Sequence, residues 1–253
     1  MLKEGLVEDP SLRDLILEVC RFASTGQETL TSLAEYAARM KRGQEAVFYI
    51  AGEDAAKLAQ SPHLEGFKAK GVEVLLLSDH VDEFWLQHIT EFDGKPLKSI
   101  TRGAADLDQI KTDDDKAEED KTEDADLAAL IAAIKVELGE TVKDVRPSKR
   151  LTDSPVCLIA DDGDMDVNLE RLLKRHGQLE HGMPRVLELN PTHIIITTLA
   201  ERAKVESADD DGLLKDAAHL LLDQARIVEG ESPSDPSEFA RRLGTVMTRA
   251  FTI

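Results

Sequence analysis

Aromatic residues are scarce in this sequence. They make up 4% of 253 residues, with one Trp and two Tyr. Base-stacking nucleic-acid modules depend on exposed rings, so that class is disfavoured. Basic residues are outnumbered, 31 Lys and Arg against 50 Asp and Glu, for a formal charge of −19. Such a surface repels phosphate backbones and anionic headgroups, which argues against nucleic-acid and membrane partners. Only two cysteines occur, Cys20 and Cys157, far apart and without a CxxC, as expected of a reducing compartment. Long apolar runs are missing too: LLL at 75–77 and III at 194–196 are far too short to span a bilayer. The opening MLKEGLVEDPSL has no apolar signal-peptide core. A cytoplasmic chain is the expectation.

The phosphate-cradling GxxxxGK[ST] and GxGxxG patterns are absent, and so is GxSxG. The acidic run ADDGDMD at 160–166 resembles a calcium loop until its spacing is tested. With Asp162, Asp164 and Asp166 at positions 1, 3 and 5, Val167 falls where glycine is required and Leu173 where a bidentate glutamate is required. A solvated turn that caps the following helix is the better reading. His176 and His181 lack helical ligand spacing, so no metal is expected. Cys157 lies in an apolar run and reads as core. Asp79, His80 and Asp82 follow the apolar run VEVLLLS, where α/β sheets place ligands, and form the most enzyme-like cluster. A small α/β enzyme using them is one alternative; a passive oligomerisation module is another.

Residues 111–124, KTDDDKAEEDKTED, hold eight acidic residues, three Lys and no large apolar side chain. This stretch reads as an acidic linker between 1–110 and 125–253. Before it, periodicity predicts helices over 9–22, 32–40, 52–60 and 81–89, strands at 46–50 and 72–78, and a turn at 92–95. Strand, helix and strand with short connections imply a parallel βαβ layer. After it come a helix at 126–139 closed by Gly139, strands in VKDV, PVCLIA and VLELN, and an amphipathic helix at 164–177. A helix with Pro191 just inside its start, and a final helix pair at 211–228 and 236–251, complete the chain. The fold class is α/β (α+β).

Two features bear on interaction. In 236–251, Phe239, Leu243, Val246, Met247 and Ala250 line one stripe; in 211–228, Leu214, Ala218, Leu221, Leu222 and Ala225 belong to a wide apolar arc. Helices apolar over so wide an arc need neighbours on two sides, which a two-fold four-helix interface supplies. Packing within one chain is the competing account. The 164–174 helix places Met165, Leu169, Leu172 and Leu173 on one side, for core docking or for gripping unfolded chains. Phe84 and Trp85 lie side by side; a lone Trp is ordinarily core or a domain seam.

The stretches KEGLVEDPSLRDLI, RFAST, SLAEYAARMKRGQEAVFYIAGED, SPHLEGFKAKGVEVLLLSDHVDEF, EFDGKPLKSI, VKDVRPSKRLTDSPVCLI and LELNPTHIIITTL closely resemble the heat-shock-protein-90 chaperone family, most of all its bacterial members. The resemblance runs over nearly the whole chain. It implies that 1–110 is the C-terminal part of a middle domain, a small αβα segment, and that 125–253 is a mixed α/β dimerisation domain. By the same resemblance the last two helices form the dimer bundle. Phe84, Trp85, Met165, Leu169, Leu172 and Leu173 would contact non-native client proteins, with other bacterial chaperones as further partners. The family's ATP site and its catalytic arginine lie upstream. ATP and Mg therefore belong to the full-length protein, and this chain is expected to be no enzyme and to hold no cofactor. Eukaryotic members of the family end in an acidic tail that recruits helical-repeat co-chaperones; with Phe251-Thr252-Ile253 at the end of this sequence, the bacterial type without such co-chaperones is the expectation.

Overall fold

The computed structural model describes residues 2–103, 107, 110, 125–179, 182–204 and 212–251. The 111–124 linker expected from composition lies outside them. The chain divides into two compact units: 1–115 with 160–182, and 116–159 with 183–253. It enters each unit twice, and 160–182, expected in the second domain, packs with the first.

In the first unit, β1 (Ala23–Ser24), β2 (Val47–Ala51), β3 (Leu75–Leu77), β4 (Glu91–Phe92) and β5 (Lys95–Ser99) form one sheet in the order β1-β3-β2-β5-β4. β2 runs parallel to both β3 and β5, while the edge strands β1 and β4 are antiparallel to their neighbours. The expected βαβ layer is therefore present. Every residue of β2 is buried, as a central parallel strand covered on both faces requires. Val47, Tyr49 and Ala51 join one apolar cluster, and Phe48 and Ile50 join the other. Helices α1 (Gly5–Glu8), α2 (Arg13–Val19), α3 (Leu33–Ala38), α4 (Ala55–Leu58), α5 (Glu65–Ala69) and α6 (Asp82–Trp85) are short. α3 is fixed by a capping box: Ser32 accepts from the Glu35 amide, and the Glu35 carboxylate accepts from the Ser32 amide. The 92–95 turn is the tip of the β4–β5 hairpin, with positive φ at Asp93 and Gly94.

In the second unit, α7 (Ala125–Leu138) ends at Gly139, whose φ is +50°. Strands β6 (Asp144–Pro147), β7 (Val156–Ile159) and β8 (Val186–Leu189) form a sheet with β8 central, parallel to β6 and antiparallel to β7. Between β7 and β8 the chain returns to the first unit for α8 (Val167–Arg175). α9 (Ile194–Ala203) starts at His193, whose ring accepts from the Ile195 amide, so Pro191 lies in the preceding turn rather than in the helix. α10 (Leu213–Val228) and α11 (Pro236–Phe251) follow. α7, α9 and α10 cover one face of the sheet in a single apolar cluster. On β8, Glu188 is buried and accepts from Arg146, Ser148 and Arg150, the last at 3.0 Å and itself buried. Cys157 is a core residue, as expected. Burial, with the Glu188 charge behind it, raises its thiol well above the ordinary range and leaves it a poor nucleophile.

Candidate functional site

Asp79, His80 and Asp82 do follow β3, but Asp82 is committed to structure. Its carboxylate accepts from the Asp79 amide and from Trp85 Nε1 at 2.8 Å, and it pairs with Lys3 at 2.9 Å. Lys3 also pairs with Asp79 at 2.6 Å. The cluster joins the amino-terminal segment to α6 and leaves no free carboxylate opposite a base. Among the described residues, no three His, Cys, Asp or Glu side chains come together as metal ligands.

Trp85 must be withdrawn from the contact surface. It is 1% exposed, packs with Phe22 at 6.1 Å and lies in the apolar cluster with Tyr36 and Leu77. The Asp82 acceptor for its indole N–H holds the ring inward. Phe84, one residue earlier, points the other way and is 46% exposed. The neighbouring Glu83 is half-buried. Its Oε1 has no hydrogen-bond partner among the described residues, and its carboxyl is pushed up to about 8, by burial first and then by the Asp166 and Asp82 charges.

α8 is strongly amphipathic, but it does not dock by its leucines. Val167 and Glu170 are its buried residues, while Leu169, Leu172 and Leu173, with Met165 just ahead of it, remain half-exposed. Asp166 caps the helix by accepting from the Asn168 amide, as the capping-turn reading of 160–166 expects. An apolar edge therefore stays open along α8.

The second unit carries an apolar groove of about 580 Å³ walled by α9, α10 and α11. Ile194, Ile195, Leu220, Ile227, Phe239 and Leu243 are among its lining residues. Ile194 is 72% exposed and Leu243 40%. No residue of α11 is buried, and beyond the groove the same helix presents Met247, Ala250 and Phe251, the last 80% exposed.

Four residues expected at a dimer interface are instead core of one chain. Ala218, Leu221, Leu222 and Ala225 are buried in the cluster with α7 and the sheet. The arc of α10 is wide because it faces that core on one side and α11 on the other. Leu214, Phe239 and Val246 are half-buried, and Leu243, Met247 and Ala250 are exposed. Ile194, Ile195 and Ile227 were not singled out in the sequence. The III run at 194–196 was the available signal, since only Ile196 of the three is buried.

The Hsp90 protein family profile matches residues 1–253. The chain belongs to the Hsp90 family. It is 72% identical over 252 residues to Chaperone protein HtpG of Roseobacter denitrificans, covering 99% of this chain and 40% of that protein. It is 50% identical to the HtpG of Paramagnetospirillum magneticum and 47% identical to that of Rhodospirillum rubrum, with 98% of this chain and 40% of each relative covered. This Hsp90 chain thus spans about 40% of the length of these relatives. Its α/β fold with two mixed sheets agrees with the sequence reading, and no described helix is long and apolar enough to cross a membrane.

Proposed function

We propose that this chain is the dimer-forming, client-binding portion of a cytoplasmic Hsp90 chaperone. Two copies associate through α9, α10 and α11. The observation that carries this reading is the open groove together with the exposed outer stripe of α11. A groove on one copy and apolar knobs on the same elements make a self-complementary patch, which is what a two-fold interface needs. Isolated exposed apolar residues need no explanation, but a contiguous patch marks an interaction surface. The groove-lining Leu243 tests it. It is 40% exposed, so Leu243→Asp leaves the chain folded but places a charge against the partner. The expected result is a monomer in sedimentation velocity with unchanged far-ultraviolet circular dichroism; an intact dimer would remove α11 from the interface.

Client binding is assigned to Phe84 and to the Met165, Leu169, Leu172 and Leu173 edge. Weak, adaptable apolar contacts suit many non-native partners. In the whole protein, ATP and Mg would act outside this chain, which itself holds no cofactor and performs no catalysis.

A further inference from the structure

α8 is attached to its unit in an unusual way. None of the apolar clusters among the described residues includes one of its side chains. Val167 is its one fully buried apolar residue, and the directional contacts that fix it are polar. Ser99 Oγ, on β5, donates to Asp166 Oδ2 at 2.5 Å, and Thr101 Oγ1 donates to the same oxygen at 2.9 Å. All three residues are buried. The two hydroxyls lie 2.9 Å apart. The other carboxylate oxygen, Oδ1, accepts from the Asn168 amide at 3.0 Å. Asn168 Nδ2 donates to the Ala51 carbonyl, and Arg175 pairs with Glu53. Asp166 therefore divides its oxygens between two tasks: one caps α8, the other ties it to Ser99 of β5 and to Thr101, two residues past the strand.

The consequence is a segment whose docking depends on a few directional contacts. Apolar docking resists local opening because many small contacts must be lost together, whereas a polar anchor opens when two or three hydrogen bonds exchange for water. The half-covered Leu169, Leu172 and Leu173 stay on the solvent side in the docked state. Val167 and Glu170 are the only residues of α8 buried in the docked state, so swinging the helix out uncovers those two and the covered halves of its leucines.

We propose that Ser99, Thr101 and Asp166 form a latch that holds α8 against the first unit and keeps its apolar edge half-covered, so that opening the latch presents a fuller apolar face to a non-native chain. This rests on the reading that α8 binds clients, but the latch itself can be tested without one. Two variants break it from opposite sides. Ser99→Ala with Thr101→Val removes both donors and keeps the cap. Asp166→Ser keeps a good N-cap residue but is too short to reach β5. Hydrogen exchange on the full chain should show amides 167–175 exchanging roughly tenfold faster or more in both variants. Those of β2 and β5 should be unchanged, and fluorescence of an added apolar dye should rise. Unchanged exchange in α8 in both variants, or faster exchange without a rise in dye binding, overturns the latch. If the double variant loosens β2 and β5 as well, Asp166→Ser alone decides. Binding of a permanently unfolded, reduced α-lactalbumin is read separately: failure there, with α8 released, counts against the client-binding reading and not against the latch.

Discussion

Glu83 is an ionisable group that the fold holds in an unfavourable setting. Its raised value, about 8, lies above the ordinary carboxylate value of 4.5. The folded state therefore binds a proton more tightly than the unfolded chain does. The stabilisation is fully present below about 4.5 and is lost as pH rises through about 8. The thermal stability of the first unit should fall between pH 5 and 9. Glu83→Gln, a neutral isostere, should flatten that slope and leave the variant more stable than the wild type at pH 9; parallel profiles would show that Glu83 ionises freely. At Leu222 the expectation is opposite to that for Leu243. Leu222 is 2% exposed within the second unit's core. Leu222→Ala should destabilise that unit by about 2–5 kcal/mol in urea unfolding, whereas Leu243→Ala should cost under about 1 kcal/mol when measured in the monomer. Phe84 and Trp85 show what single residues conceal. Adjacent on a four-residue helix, they point to different sides, and only the Trp indole has an N–H to donate to Asp82, which fixes it inward.

Among the elements, the long helices were legible and the short ones were not. α7, α10 and α11 span four turns or so, enough for an apolar stripe to declare itself, and α7 ends at the glycine expected to stop it. β1, β4, α4 and α6, with two to four residues each, carry no period. Their positions depend on partners distant in the chain, such as the β1 pairing with β3. α8 was legible as an amphipathic helix but not in how it docks, because the Asp166 contacts join residues 65 and 67 positions apart. The same distance explains why a division at the acidic linker does not separate this segment from the unit it packs with. At this scale the client-binding reading makes its own prediction. Leu169→Ser with Leu173→Ser should weaken binding of an unfolded client several-fold in a fluorescence titration while leaving the oligomeric state intact. Equal affinity would exclude the α8 edge as a contact.

At the scale of the whole molecule, association has to overcome charge. Each copy carries a formal −19, so two copies repel at long range, and attraction must come from short-range apolar contact. The α9–α11 region supplies it, and α11 by itself is basic, with Arg241, Arg242 and Arg249 against a single Glu238. Arg241 and Arg242 both reach Asp216 of α10, which ties the two helices together within one chain and leaves the apolar groove and stripe for the partner. The amphipathic pattern indicated surplus apolar surface on the last two helices. It could not apportion that surface, because residues facing the chain's own core and residues facing a second copy obey the same periodicity.

Light scattering of the wild-type chain, purified and diluted through the micromolar range, measures that association directly. A mass of two chains that holds on dilution is predicted. A mass of one chain across the range would contradict the interface and the account built on it.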